Sequence, residues 1–236
     1  MRKKPTPWSF KEWILAAAKS GYAYQIHLYT GKGTGNSNLG LGEQVVTKLS
    51  QCVEGTGCVI GMDNFFTSIN LLEDLHAKGI KAVGTIRSHR KGLPPKAKEV
   101  GLKKMKEGET HSFVSQNEKV SVCLWMDKRP VLIASNFVDP SETTVVERRR
   151  RGQPGKQPKT IPSVVVQYNS AMKGVDLCDQ KKVSYEIGHR SPKKYYLRLF
   201  FDLLDIAINN ACMLSTAPGN WERCRRTNFD DQWQTA

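Results

Sequence analysis

Cleavage of a phosphodiester by paired metals needs several carboxylates from distant parts of a chain. They must converge so that two Mg²⁺ ions sit about 3.5–4 Å apart, one activating water and the other stabilising the leaving oxygen. Aspartates at three positions have surroundings suited to such work. Asp63 ends the apolar run Cys58–Met62 and precedes Asn64-Phe65-Phe66-Thr67-Ser68, so a strand would present the carboxylate at its tip while the aromatics anchor the turn. Asp176 and Asp179 fall three apart in Gly174-Val175-Asp176-Leu177-Cys178-Asp179-Gln180, which on a helix puts both on one face. Each also has a plainer use. An aspartate after a strand commonly caps the next turn or helix, and acidic residues in a first helical turn are favoured by the helix dipole. Spacing alone therefore does not assign a metal site.

The elements that would position these residues follow from periodicity. Trp13–Ala18 and Tyr22–Tyr29, joined through Lys19-Ser20-Gly21, predict a β-hairpin. The Gly-, Asn- and Thr-rich stretch Thr30–Gly42 predicts a loop that feeds a helix over Glu43–Leu49. Cys58–Met62 reads as a buried strand, Ser68–Lys78 as a helix stopped by Gly79, and Ile80–Ile86 as a further strand. This β-α-β rhythm places the chain in the α/β class. Arg87–Gly108 is basic and irregular, and the strand candidates Ser112–Ser115, Val120–Trp125 and Val131–Asn136 suggest a small β-rich insertion. Glu147–Pro162, dense in Arg, Lys, Gly and Pro, reads as an exposed loop or linker. Val164–Tyr168 reads as a strand or extended entry, Met172–Asp176 leads into a helix, and about Lys193–Leu214 repeats at helical spacing. The expected organisation is core over 1–86, β-rich insertion and basic linker over 87–162, core again over 163–215, and a tail over 216–236.

Composition narrows the partners. The chain has 236 residues, 39% of them hydrophobic and 25% charged, enough apolar content for one sizeable core. Its 36 Lys and Arg against 22 Asp and Glu leave a formal charge of +14, which attracts polyanions and makes nucleic acid the first partner to consider. The cysteines Cys52, Cys58, Cys123, Cys178, Cys212 and Cys224 form no C-x-x-C pair, which argues against a zinc module or a disulfide framework. No apolar stretch follows Met1-Arg2-Lys3-Lys4-Pro5, so a soluble intracellular chain is expected, without a membrane partner. Gly31-Lys32-Gly33-Thr34-Gly35 lacks the spacing of a P-loop or dinucleotide fingerprint, and His27, His76, His89, His111 and His189 have no supporting motif, so no small-molecule substrate is expected.

Taken in order, Met62-Asp63-Asn64-Phe65-Phe66-Thr67-Ser68, Val83-Gly84-Thr85-Ile86-Arg87, Tyr168-Asn169 and Gly174-Val175-Asp176-Leu177-Cys178-Asp179-Gln180 resemble the signature segments of piggyBac-type transposases. Tyr29-Thr30-Gly31-Lys32 and the helix at Lys193–Leu214 are also similar to family segments, so the resemblance runs from about Lys4 to Ser215. It implies an RNase H-like mixed sheet flanked by helices, with a β-rich insertion before the last acidic motif, and hairpin-forming cut-and-paste transposition at TTAA sites. Carried over by position, Asp63 matches the second catalytic Asp, Asp176 the third and Asp179 a further acid of that motif, all as ligands of Mg²⁺ or Mn²⁺.

The pattern breaks in the first strand. Where the family carries its first catalytic Asp, the stretch Trp13-Ile14-Leu15-Ala16-Ala17-Ala18-Lys19-Ser20-Gly21-Tyr22 has Ala17, and no carboxylate lies between Glu12 and Glu43. The chain also begins just before this strand and lacks the cysteine spacing of the C-terminal zinc module of many members, so weak recognition of transposon ends is expected. The resulting expectation is a nuclear, transposase-derived, domesticated DNA-binding protein with little or no strand cleavage. DNA phosphates would be held by Arg87, Arg90, Lys91, Arg148, Arg149, Arg150 and Arg151. A homodimer is a further candidate. The alternatives are an active DDE/DDD transposase and a protein-interaction scaffold that does not bind DNA.

Overall fold

Short apolar runs bounded by turn residues become strands and helices in two compact units, Met1–Asn38 with Lys173–Ala236, and Leu39–Met172. The computed structural model describes residues 10–31, 39–95, 97, 105–149, 155–184 and 194–216.

In the first unit, β1 (Glu12–Ala16) and β2 (Ala23–Leu28) pair antiparallel as a two-stranded sheet. Gly21 closes their turn at φ 74°, and a Cβ there would lie 2.8 Å from the Cys178 amide, so the position requires glycine twice over. The unit is completed by α4 (Gly174–Ser184) and α5 (Tyr195–Thr216). Its core gathers Ala23, Cys178 and Ile206, with Ile14, Ala16 and Ile26 packed against them. Asn210 pins α5 to β2 by donating to the Ala23 carbonyl at 2.9 Å and accepting from the Ala23 amide at 3.0 Å.

The second unit opens with α1 (Leu41–Leu49), followed by a 3₁₀ turn at Ser50–Val53. The strands β3 (Val59–Met62) and β4 (Lys81–Thr85) run parallel, connected through α2 (Ile69–Ala77). Three features define α2. The Ser68 hydroxyl accepts from the Leu71 amide, Leu71, Leu72 and Leu75 are fully buried, and Gly79 ends the turn at φ 68°. Antiparallel pairing then adds β7 (Pro130–Ser135), β6 (Ser121–Met126) and β5 (Thr110–Val114), giving a mixed sheet in the order β3-β4-β7-β6-β5. The strands expected as part of an insertion thus continue the sheet from the edge of β4.

Two expectations are overturned. Glu147–Pro162 is not a bare linker, because β8 (Thr143–Arg149) and β9 (Lys156–Pro162) form an antiparallel ribbon. Ile161 lies in the core beside Trp125 and Val164, and Val146 packs against the same cluster, so one apolar face suffices to order a polar segment. The ribbon has two strands, so Pro158 costs it little as a missing donor. Val164–Tyr168 is not extended either. It lies within α3 (Ser163–Ala171), whose Val164 and Val165 are buried with Val83 and Ile133, and this burial outweighs the strand preference of Val164-Val165-Val166.

Candidate metal centre

The turn after β3 is built to expose Asp63. Its main-chain oxygen accepts from the Phe66 amide at 3.0 Å, the Thr67 amide at 3.2 Å and the Thr67 hydroxyl at 3.0 Å. The Asn64 amide donates to Asp63 Oδ1 at 2.6 Å. Thr67 is buried while the Asp63 side chain faces solvent. Two arginines brace the turn. Arg90 Nη2 donates to the carbonyls of Asn64 at 3.0 Å and Phe65 at 2.6 Å, and Arg87 Nε donates to Asn64 Oδ1 at 3.0 Å. Both were expected to face DNA phosphates, and both hold the Asp63 turn. Nothing in the spacing signals this, because the partner carbonyls lie 25 and 26 residues upstream of Arg90. Lys91 is exposed.

Ala17, Asp176 and Asp179 belong to the other unit. Ala17 follows β1, its amide donating to the Tyr22 carbonyl at 2.9 Å and its carbonyl accepting from the Gly21 amide at 2.8 Å. Gly174 opens α4 directly against this strand end, since a Cβ on it would sit 2.5 Å from the Ala16 oxygen and 2.9 Å from the Ala17 oxygen. The helix carrying Asp176 therefore begins against the strand end that carries the buried methyl of Ala17. Asp176 and Asp179 are both exposed.

A charged network missed by the sequence reading lies beside them. Lys182 Nζ bonds Asp202 at 2.6 Å and stands 4.0 Å from Asp179. Burial, together with a hydrogen bond to Asp202, pushes the Glu12 carboxyl up to about 7. Burial opposes the charge on Lys182, yet its bond to Asp202 and the surrounding carboxylates hold it above its ordinary value. Asp63 is the only one of the expected metal ligands in the unit Leu39–Met172. Among the described residues no three His, Cys, Asp or Glu side chains gather into a group able to hold a metal.

On the β8–β9 ribbon, Arg148 Nη1 lies 3.5 Å from Asp127 Oδ2 and its guanidinium 5.5 Å from the Trp125 ring centre. Arg149 is exposed, and Arg150 and Arg151 lie outside the described residues, as do His189 and the tail after residue 216. Among the described residues no helix is long and apolar enough to cross a membrane.

Comparison with known proteins supplies the context for this arrangement. Residues 1–212 match the family model described as Transposase IS4. The chain is 30% identical over 220 residues to PiggyBac transposable element-derived protein 2 of Homo sapiens, which covers 90% of this chain and 36% of that protein. It is 30% identical over 221 residues to the Homo sapiens derived protein 3, covering 91% of this chain and 36% of that one. The chain thus spans little more than a third of these relatives. Among solved structures it is similar to a piggyBac transposase synaptic complex with hairpin DNA, with TM-score 0.71 and 22% identity over 97% of this chain and 47% of that one. That likeness identifies the α/β architecture as the RNase H-like fold. A family model spanning nearly the whole sequence, together with these relatives, establishes that the chain belongs to the piggyBac-type transposase family.

Proposed function

We propose that this chain is a transposase-derived, nuclear DNA-binding protein whose metal-dependent strand cleavage has been lost at Ala17. The observation that carries the reading is the meeting of β1 with α4, where Gly174 abuts Ala16 and Ala17 two residues before Asp176 and the strand offers a methyl group. A hard divalent cation needs oxygen ligands, and two such ions held close together need a bridging carboxylate to offset their mutual repulsion. Alanine provides neither. Mg²⁺ or Mn²⁺ would be a cofactor only if a carboxylate returned to this position. The one acid on β1, Glu12, instead faces Asp202 and Lys182. The charge of +14 and the DNA in the related synaptic complex support DNA as the partner.

Two assays on the purified chain test this together, fluorescence anisotropy with a labelled duplex and incubation of supercoiled plasmid with Mg²⁺ or Mn²⁺. Duplex affinity is expected to fall by at least about tenfold between 50 and 200 mM salt, as release of counterions from several phosphates requires, while the plasmid stays supercoiled. Absence of salt-dependent binding would favour the scaffold reading. Metal-dependent nicking that disappears in Asp63→Asn would establish an active enzyme.

A further inference from the structure

The β8–β9 ribbon sorts its cations onto two faces. Residues directly opposite in an antiparallel pair share a face, and the register sets Val146 against Lys159, Arg148 against Gln157 and Arg149 against Lys156. On the inner face every described cation is already engaged. Lys159 Nζ bonds Asp127 at 2.9 Å and Glu107 at 3.0 Å, Arg148 meets Asp127, and both cations stand 5.5 Å from the Trp125 ring centre. The bond from Lys159 holds Asp127 below the usual carboxylate range, and Asp127 in turn raises Lys159. These contacts anchor the ribbon to the sheet and leave Arg148 and Lys159 little to offer an outside anion.

The outer face is the reverse. Arg149 and Lys156 are exposed, directly opposed and of like charge, and among the described residues neither forms an ion pair. Like charges at opposed positions destabilise a ribbon. The carboxylate on this face, Glu147, pairs in register with Pro158 and likewise forms no ion pair among the described residues. Val145 beside it is 65% exposed, so the face lies open to solvent. An anion placed between Arg149 and Lys156 would remove their repulsion, and seven-residue strands rising about 3.3 Å per residue give the ribbon a reach of several phosphates.

We infer that the outer tip of the β8–β9 ribbon, through Arg149 and Lys156, grips the phosphate backbone of duplex DNA, while Arg148 and Lys159 only dock the ribbon. This rests on the DNA-binding reading above. The partner is the backbone and not a base edge, because two opposed cations are matched by phosphate charge and, beside them, Val145, Pro158 and Thr160 carry no bidentate group for base reading, Glu147 being the one carboxylate on that face.

The test is anisotropy with a 30-base-pair duplex of mixed sequence across 50–200 mM NaCl. It compares the natural chain, the double variant Arg149→Ala/Lys156→Ala, the conservative Arg149→Lys, and Arg148→Gln. At 100 mM salt the double variant is expected to bind roughly tenfold more weakly, with its salt slope shallower by about 1.8, the value for two lost phosphate contacts. Arg149→Lys and Arg148→Gln should keep the natural slope. Both side chains of the double variant are exposed, so its melting temperature should match that of the natural chain, separating lost contacts from lost fold. A natural slope in the double variant, or an equal flattening by Arg148→Gln, would overturn the ribbon assignment alone. Failure of the natural chain to bind duplex at 50 mM salt would overturn both the DNA reading and this inference.

Discussion

Gly174→Val is expected to destabilise the unit that carries Asp176 by about 3 kcal/mol or more, at the upper end for an overpacked site. The reason is the nature of what surrounds the missing side chain. A Cβ would approach the Ala16 oxygen at 2.5 Å and the Ala17 oxygen at 2.9 Å, and both are main-chain atoms that no rotamer change can move aside. Helix α4 would have to slide away from β1, taking the buried Cys178 out of the core it shares with Ala23 and Ile206. Gly21, seated against the Cys178 amide, would lose its fit as well. In thermal denaturation this corresponds to a fall of roughly 10 °C or more for a unit of about a hundred residues. A melting temperature within a degree or two of the natural chain would mean that α4 is not seated on the end of β1.

Asn136→Leu should cost a similar amount, about 3–5 kcal/mol, by a different route. Asn136 is 6% exposed, and its side chain binds three main-chain groups at once. It accepts from the Ala82 amide at 2.7 Å and donates to the carbonyls of Leu72 and Ile80, each at 3.0 Å. Its own amide donates to Ala82 O at 3.2 Å. One side chain therefore ties the end of β7 to β4 and to α2, and α2 directly follows the Asp63 turn in sequence. Leucine fills a similar volume but leaves buried donors and acceptors unpaired, at about 1–3 kcal/mol for each group. The denaturant midpoint should drop accordingly with an unchanged slope, and a loss below about 1 kcal/mol would show that the amide network contributes little.

The parts of the fold legible in the sequence are those fixed by local signals. β3 and α2 stand out because an apolar run ends at Asp63, Ser68 caps the helix and Gly79 stops it. The helical period over Tyr195–Thr216 is equally plain. The ribbon was hidden because its composition is polar, and only the sheet beneath shows that Ile161 and Val146 have a surface to cover and that Trp125 accepts two cations. α3 was hidden because three consecutive valines favour a strand locally, a preference of a few tenths of a kcal/mol per residue that burial easily exceeds. In the candidate site, type and spacing make Asp63, Asp176 and Asp179 candidates, and only the family resemblance gives them a metal-binding role. Ala17 could not be picked out by type and spacing, since an alanine after a strand carries no signal outside the family pattern. The bracing by Arg87 and Arg90, and the Glu12–Asp202–Lys182 network, join residues far apart in sequence and become visible only once the chain is folded.

On the function proposed above, a single missing carboxylate, at Ala17, leaves the chain without a metal site. Calorimetric titration of Mn²⁺ into the purified chain and into Ala17→Asp tests it without any need for transposon-end recognition. The natural chain is expected to show no saturable binding below about 1 mM, and the variant at least tenfold tighter binding, a gain of about 1.4 kcal/mol or more that Asp176→Asn abolishes. Binding of Mn²⁺ by the natural chain, lost on Asp176→Asn, would overturn the loss at Ala17, and so would a variant that binds no better than the natural chain.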